Sequence, residues 1–405
     1  MRLLHLADLH LGRALHGFSL AEEQRAFLRD VLSYADSRRP DAVVLAGDIY
    51  DRSVPPVEAV RDLSAFLTAL SKQNILVLMV AGNHDSPERL HYASGILQKQ
   101  GIYVAGEPET PVMTVVLRDA HGPVRFVLLP FVRPVQAREL LPGAEILTYS
   151  DAVRALLETI PAEPGMRSVL ITHQFVTAGE RSPETSESES PWVGGTASVD
   201  AGLFDHFCYV ALGHLHTAQP MGRESVRYAG APLVYSVGEA GRVKTMTEVD
   251  IGEDGQASVT LLPITPLRAV RSVTGDFAAL LREGLPETEA NPEGAASCGE
   301  EHMPEAAMPG GRGGAPRTED YVHFKLTDSA PIADAVAALR GIYPRFLSLE
   351  YTSWGSAPEP SAPSLQVVRE STLPALFDAF AESGYGAALE DEERAIVRAL
   401  WEELS

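Results

Sequence analysis

The first two thirds of the chain repeat one arrangement, in which a short apolar run is followed by a polar cluster and then by a segment of helical period. Runs of this length, rich in Val, Ile and Leu, are typical of buried strands, and their alternation with helical segments is typical of strands covered by helices. The pattern therefore predicts an α/β domain. The runs begin at Leu3, Ala42, Ile75, Val124, Ser168 and Tyr209.

Helical segments separate the first three of these runs. Ser19 and Glu22 have the spacing of a capping box, which predicts the start of one helix, and Pro40 ends that helix. A second helix is predicted through Val57 to Leu70, where apolar residues recur at helical spacing.

Five of the apolar runs end in residues that can bind metal ions. In open α/β sheets the carboxyl ends of the strands share one edge, so residues far apart in sequence are expected to meet there. Carboxylates, imidazoles and one amide without cysteine favour Mn²⁺ or Fe²⁺ over a structural zinc ion. The clusters are Asp8 to His10, Gly47 to Asp51, Gly82 to Asp85, Thr172 to Gln174, and Gly213 to His216.

Each cluster taken alone has an ordinary explanation. An Asp-x-His sequence occurs often by chance, and Gly-Asp after a strand commonly forms a turn. The sequence Gly82-Asn83-His84-Asp85 is more specific, because a turn needs no histidine. Together the clusters hold too many ligands for one ion. Two ions that share one carboxylate account for them, and such a pair predicts phosphoester hydrolysis.

The charge balance limits the classes of partner. The 405 residues include 33 Lys and Arg against 55 Asp and Glu, which gives a formal net charge of −22. Such a chain repels polyanions overall, so any contact with nucleic acid must be local. The two cysteines, Cys208 and Cys298, suit a reducing cytoplasm rather than a disulfide framework. A membrane-spanning helix needs ~20 apolar residues, and each of the apolar runs is shorter than that.

The pattern changes near Pro263, where a smaller set of strands and helices begins. Within that set, residues 285–320 are rich in Glu, Gly, Pro and Ala, and this composition predicts a disordered insertion. A Pro/Ser-rich linker then leads to two amphipathic helices at the end of the chain. Such a helix pair either packs on its own domain or docks into a groove of a partner, and the linker favours docking.

The order of the clusters resembles that of the calcineurin-like metallophosphoesterases. Within this family the chain is similar to the nuclease subunits of double-strand-break repair complexes. That similarity rests on LHLADLHLGR, GDIYDRSVPP, AGNHDSPERL, ITHQFV, ALGHLHTAQ, the acidic segment before Trp192, and Tyr228 to Pro232. The resemblance implies a four-layer α/β/β/α sandwich over residues 1–263 and a small α+β capping, DNA-binding domain over 264–356. Residues 357–405 would then dock an ATPase.

Site roles follow from the same resemblance. It implies that Asp8, His10, Asp48 and His216 hold one ion, and that Asp48, Asn83, His173 and His214 hold the other. His84 would then contact the scissile phosphate and stabilise or protonate the leaving 3′ oxygen.

Further roles are predicted for residues around the ions. Asp51 and Asp85 are expected to orient ligating or catalytic histidines. Asp51 stands where some relatives carry a second catalytic histidine. Arg13, Arg52 and Arg89 each follow a metal motif, so they are either backbone contacts to DNA or ordinary surface arginines.

The resemblance implies an Mn²⁺-dependent DNA nuclease, with two Mn²⁺ ions for which Mg²⁺ or Fe²⁺ could substitute. It would have double-strand 3′-to-5′ exonuclease and single-strand endonuclease activity, and would act as a homodimer with an SbcC-type coiled-coil ATPase on broken or hairpin DNA at the nucleoid. The alternatives are a metallophosphoesterase for nucleotides or other phosphoesters, and an inactive scaffold subunit. The complete ligand set argues against the scaffold. No P-loop motif is present, so any ATP dependence would come from a partner.

Overall fold

A computed structural model describes residues 1–161, 163, 165–179, 182–186, 189, 198–282 and 319–352. Most of the insertion predicted at 285–320 and all of the linker and helices predicted at 357–405 lie outside the described residues, as does Trp192. In the described part of the chain, no helix combines the length and the apolar composition that crossing a bilayer requires.

One six-stranded sheet contains the first three predicted strands. Its central strands are parallel and almost completely buried, as expected for strands covered on both faces, and two antiparallel strands complete one side. In spatial order it consists of β16 (Ala257–Pro263), β15 (Thr245–Ile251), β1 (Arg2–Leu6), β4 (Ala42–Ala46), β5 (Leu76–Val80) and β6 (Ile102–Ala105).

A second six-stranded sheet contains the other three predicted strands. Its centre is again parallel, and antiparallel strands lie at both edges. Its spatial order is β13 (Gln219–Met221), β14 (Arg223–Tyr228), β12 (Tyr209–Gly213), β9 (Arg167–His173), β8 (Gly122–Leu129) and β7 (Met113–Asp119).

The two sheets pack face to face, and helices cover both outer faces. An apolar cluster fills the space between the sheets, and one further cluster lies between each sheet and its helices. The predicted four-layer α/β/β/α arrangement is therefore confirmed. The first sheet carries α1 (Ala21–Arg38), α2 (Val57–Lys72), α3 (Pro87–His91) and α4 (Ser94–Leu97), and the second carries α5 (Pro134–Leu140) and α6 (Tyr149–Leu157).

A third sheet of three strands forms the smaller unit. It consists of β17 (Val270–Gly275), β18 (Tyr321–Leu326) and β19 (Phe346–Tyr351), accompanied by α7 (Phe277–Arg282) and α8 (Ala335–Ile342). All three strands are parallel, so the unit is α/β in character rather than the α+β arrangement that the sequence predicted. Two further two-stranded pairs are β2 (Ala14–Leu15) with β3 (Phe18–Ser19), and β10 (Val176–Thr177) with β11 (Val199–Asp200).

One local prediction, the capping box of the first helix, was wrong. The first helix has Leu20 as its N-cap, without a side-chain cap, and the Ser19 hydroxyl accepts a hydrogen bond from Ala21 N instead, so there is no capping box. Of the insertion predicted at 285–320, only Glu319 and Asp320 are described, and the carboxylate of buried Asp320 accepts hydrogen bonds from Ala269 N and from the Arg271 guanidinium.

Candidate metal centre

The five metal-capable clusters meet at the carboxyl edge of both sheets. The β1, β4 and β5 ends come from one sheet, and the β9 and β12 ends from the other. The sheets approach so closely there that a side chain at Gly213 would place its Cβ 1.9 Å from Ala46 O. At Gly82 a Cβ would lie 2.1 Å from Asp48 Oδ1. Glycine at these positions is therefore a condition for the cluster to form.

One group consists of Asp8, His10 and His216, whose ligand atoms lie within 4.8 Å of one another. All three residues are buried. His10 Nε2 and His216 Nε2 face each other at 3.2 Å, and both Asp8 carboxylate oxygens accept from His214 N, at 3.0 and 3.2 Å. Asp8 and His10 both have positive φ values, +53° and +42°, which residues other than glycine rarely adopt.

The other group is formed by Asp48, Asn83, His173 and His214. His173 Nε2 lies 3.3 Å from Asp48 Oδ2 and 3.1 Å from Asn83 Oδ1, which is also 3.0 Å from His214 Nδ1. His173 Nδ1 donates to Ala46 O at 2.8 Å. This hydrogen bond fixes the ring so that Nε2 is the atom presented to the cluster. All seven residues predicted as metal ligands are thus brought together.

Asp48 lies between the two groups. Its Oδ2 is 3.7 Å from His10 Nε2 as well as 3.3 Å from His173 Nε2, and its Oδ1 accepts from His84 N at 2.9 Å. Burial opposes ionisation of Asp48, but the His173 imidazole outweighs it and holds the pKa of the carboxyl well below its usual range. The same contact, acting against burial, raises the pKa of His173 to about 9.

Three other histidines predicted as metal ligands are kept neutral by burial. Burial, the largest cause, lowers the pKa of His10 and the pKa of His214 to about 3, and it also lowers the pKa of His216. Neutral imidazole is the form that binds a metal ion, so these rings are ready to ligate at neutral pH.

His84, the predicted catalytic residue, is half-buried at the rim of the cluster. Its Nδ1 donates to Asp51 O at 2.9 Å, and its ring centroid lies 4.8 Å from that of His10. Because Nδ1 is engaged by a carbonyl, Nε2 is the atom available to a ligand.

Asp51 and Asp85 differ in what they contact. Asp51 Oδ1 lies 3.6 Å from His10 Nδ1, in keeping with the predicted orienting role. Asp85 instead accepts hydrogen bonds from Ile49 N, Tyr50 N and Gly82 N, at 2.9 to 3.1 Å. It therefore ties the two loops together through their backbone, and the prediction that it orients a histidine is corrected.

The three arginines also differ. The Arg13 guanidinium is engaged by Asp51 Oδ1 at 3.1 Å and lies 4.8 Å from the Tyr235 ring centroid. Its side chain is 15% exposed and pairs with Asp51, so Arg13 fits neither of the two alternatives that the sequence left open, a backbone contact to DNA and an ordinary surface arginine. Arg52 and Arg89 are exposed next to the cluster loops.

Several residues at the centre were missed by the sequence analysis. Tyr235 donates to Leu9 O at 2.7 Å and packs against the His10 and His216 rings. Glu189 Oε1 accepts from His216 N at 2.5 Å, and Glu239 and Lys244 lie on the other side of the same residue. No motif marks these residues, although Glu189 belongs to the acidic segment that carried part of the resemblance.

Comparison with known proteins agrees with this description. The sequence model of the family described as calcineurin-like phosphoesterase matches residues 1–218. With the four-layer sandwich and the cluster at its carboxyl edge, this match shows that the chain belongs to the calcineurin-like phosphoesterases. The predicted hydrolase acting on phosphodiester bonds is thereby confirmed as an enzyme class.

The chain is 30% identical over 353 residues to SbcD, the nuclease subunit of SbcCD, from Staphylococcus epidermidis, and the match covers 86% of this chain and 85% of that protein. This level of similarity puts the chain with the SbcD proteins inside the larger family.

Two solved structures resemble the chain more distantly. TT1561 of Thermus thermophilus is 12% identical and covers 64% of this chain and 98% of that one, with a TM-score of 0.37. A dimetal phosphatase from Danio rerio is 13% identical and covers 66% of this chain and 97% of that one, with a TM-score of 0.36. TM-scores this low add nothing to the family assignment.

Proposed function

We propose that the chain is an Mn²⁺-dependent DNA nuclease that acts with an SbcC-type coiled-coil ATPase on broken or hairpin DNA in the cytoplasm, at the nucleoid. Its activities would be double-strand 3′-to-5′ exonuclease and single-strand endonuclease. The observation that carries the proposal is the convergence of carboxylates, imidazoles and one asparagine at a single sheet edge, in a chain similar to a protein named as a nuclease subunit.

The donor set fits two divalent ions. His10 Nε2 and His216 Nε2 point at each other at 3.2 Å, and His173 has its other nitrogen fixed by a carbonyl, so three imidazoles aim ligand atoms into the cluster. Asp8, His10, Asp48 and His216 would hold one ion, and Asp48, Asn83, His173 and His214 the other. Two such ions polarise a phosphoryl oxygen and lower the pKa of a bound water toward ~7.

His84 is proposed to stabilise or protonate the leaving 3′ oxygen. Asp51 O accepts from Nδ1–H and so turns Nε2 toward the substrate, and in the imidazolium form of the ring Nε2–H can donate a proton or a hydrogen bond to the 3′ oxygen as the P–O bond breaks. We propose that Asp51 does not take the place of a second catalytic histidine, since its carboxylate pairs with Arg13 and faces His10.

The test compares the wild type with His84→Gln on linear duplex DNA and on a small nitrophenyl phosphodiester, with Mn²⁺ content measured in parallel. We expect the wild type to cleave both substrates. In the variant the rate on DNA should fall by about 10² to 10⁴ while Mn²⁺ content stays the same, and the rate on the nitrophenyl ester should fall less, because nitrophenolate leaves without a proton. Cleavage of the small ester alone would favour a phosphoesterase for small substrates. Activity on neither substrate would favour a scaffold.

Arg52 and Arg89 are proposed to contact the DNA backbone, since both are exposed next to loops of the centre. Changing both to Glu should weaken DNA binding in a sequence-independent way and reduce its dependence on salt. Hydrolysis of the small ester should be unaffected. Unchanged DNA affinity would assign these arginines to the ordinary surface.

Residues 357–405 are proposed to dock the ATPase. Deleting the chain from Ser364 onward should abolish its association with an SbcC-type ATPase and leave Mn²⁺-dependent cleavage of the small phosphodiester. Loss of that cleavage together with a lowered melting temperature would show instead that these residues stabilise the nuclease domain.

The homodimer predicted from the resemblance is proposed to form through the outer side of the first sheet. Val54, Val57 and Val60 are 60%, 65% and 44% exposed there, and Tyr92 and Ile96 are 82% and 69% exposed. Val57 and Val60 lie one turn apart on α2, and exposed apolar side chains that are neighbours in this way are typical of an interface.

Changing Val57 and Val60 to Glu should therefore give a monomer in sedimentation velocity experiments. The matched control is Val116→Glu, which alters a residue that is 49% exposed on the edge strand β7 and should leave the dimer intact. A wild-type monomer would refute the proposed dimer, and a dimer that survives both changes would move the interface elsewhere.

A further inference from the structure

Charged side chains hold His216 on three sides. Its backbone N donates to Glu189 Oε1 at 2.5 Å, and its carbonyl accepts from Lys244 Nζ at 3.0 Å. Its Nδ1 lies 4.0 Å from Glu239 Oε1, on the side of the ring away from His10. Both the backbone and the ring of this one residue are therefore constrained from outside the cluster.

Glu239 and Lys244 form a buried ion pair. Lys244 Nζ lies 2.5 Å from Glu239 Oε2, and Ser236 Oγ donates to Glu239 Oε1 at 3.1 Å. The Glu239 side chain is 1% exposed and that of Lys244 is 10% exposed. Burying two charges requires removing their water, and a pair of apolar residues would stabilise the same space at least as well. The presence of charges here points to a role other than stability.

We propose that Glu239 and Lys244 are positioning residues that fix His216 as a metal ligand. The charge of a carboxylate 4.0 Å from Nδ1 favours the tautomer with its proton on that atom, which leaves the Nε2 lone pair directed at His10 and Asp8, the other two members of its group. Lys244 neutralises Glu239 and also holds the backbone of His216. The inference rests on the metal centre of the proposed function and adds two residues to it.

The pair could instead be a purely structural staple between the loop after β12 and the segment before β15. The two roles differ in what a mutation changes. A staple affects the melting temperature of the whole protein, whereas a positioning pair affects the binding of one ion out of two. The decisive quantity is therefore the Mn²⁺ affinity of each site.

The experiment titrates the full chain, freed of metal by chelation, with Mn²⁺ in a calorimeter, and follows the electron paramagnetic resonance signal of the bound ions. Glu239→Gln removes the charge and keeps the size. One Mn²⁺ site should weaken by about 10- to 100-fold, and the other should keep its wild-type affinity. Glu239→Asp, which retains the charge, should recover part of the lost affinity.

Asp119→Asn is the matched control. Asp119 ends strand β7 outside the cluster, and its carboxylate, in a side chain that is 8% exposed, pairs with Arg167 at 2.6 Å. The substitution Asp119→Asn should lower the melting temperature without altering the Mn²⁺ affinity of either site. Ser236→Ala removes only a hydrogen bond to Glu239 and should weaken the same single site by a smaller factor, which provides a second test if Glu239→Gln does not fold.

The outcomes separate the inference from the proposed function. If Glu239→Gln and Ser236→Ala lower the melting temperature, as the control does, and leave both Mn²⁺ sites at wild-type affinity, the pair is only a staple and the inference fails. If the wild type itself does not bind two Mn²⁺ ions, the metal centre of the proposed function fails instead.

Discussion

Replacing Gly213 by Ala tests whether the two sheets meet as closely as described. The new Cβ would lie 1.9 Å from Ala46 O, whereas an ordinary carbon–oxygen contact is ~3.3 Å, so the sheets must separate locally by more than an ångström. Ala46 O also accepts the Nδ1–H hydrogen bond that fixes His173. Overpacking costs about 1–3 kcal/mol, and a buried hydrogen bond left unmade costs about 1–3 kcal/mol. The expected loss in the free energy of unfolding is thus about 4 kcal/mol.

For a domain of this size, 4 kcal/mol corresponds to a fall in melting temperature of about 8–16 °C, measurable by circular dichroism. Mn²⁺ affinity measured by calorimetry should fall as well, because the His173 ring is no longer held. The control is Gly341→Ala in α8, where an added Cβ has no neighbour within 4 Å and alanine favours the helix. A Gly213→Ala protein that melts and binds Mn²⁺ like the wild type would refute the close approach of the sheets.

Three further outcomes are expected. Arg167 and the amino terminus hold the pKa of Asp119 well below its usual range, so this carboxylate stabilises the fold above about pH 4 and loses that effect as the pH falls further. Asp119→Asn should therefore cost about 2 kcal/mol in urea unfolding at pH 7, and the difference from the wild type should shrink below pH 4. Arg268→Ala should cost about 3 kcal/mol in the same assay, because it leaves the buried Glu23 carboxylate unpaired, and Arg268→Lys should restore part of this loss. Chelation should lower the melting temperature reversibly, since an ion present at 100 times its dissociation constant adds about 2.7 kcal/mol per site, and an unchanged melting curve would argue against bound metal.

The strands and the metal-capable residues were predictable because both signals are local. A buried parallel strand is a short apolar run, and the residues after it lie at the carboxyl edge whatever the rest of the chain does. Asp8, Asn83 and His214 could therefore be assigned to one edge before their contacts were known. The edge strands β7, β13 and β16 were not predicted, because their half-exposed residues give only a weak pattern.

Residues that reach the centre by packing alone could not be predicted. Glu239 and Lys244 follow no periodic pattern, and only the course of the segment between β14 and β15 brings them to His216. The roles of Arg13 and Asp85 were predicted incorrectly for a related reason. Their positions in the motifs are compatible with several partners, and the partner each one contacts depends on loops from other parts of the chain.

The order of the strands along the chain also determines when the metal centre can be completed during synthesis. Strand β1 lies between β4 and β15, so the strand that leads to Asp8 gains its second neighbour only when residues 245–251 are present. His10 and His216, which face each other, are separated by 206 residues. Since a chain is synthesised from its amino terminus and distant segments pair late in folding, a growing chain on the ribosome holds only half of the centre. We therefore expect hydrolytic activity only once residues 245–251 have been synthesised and paired with β1.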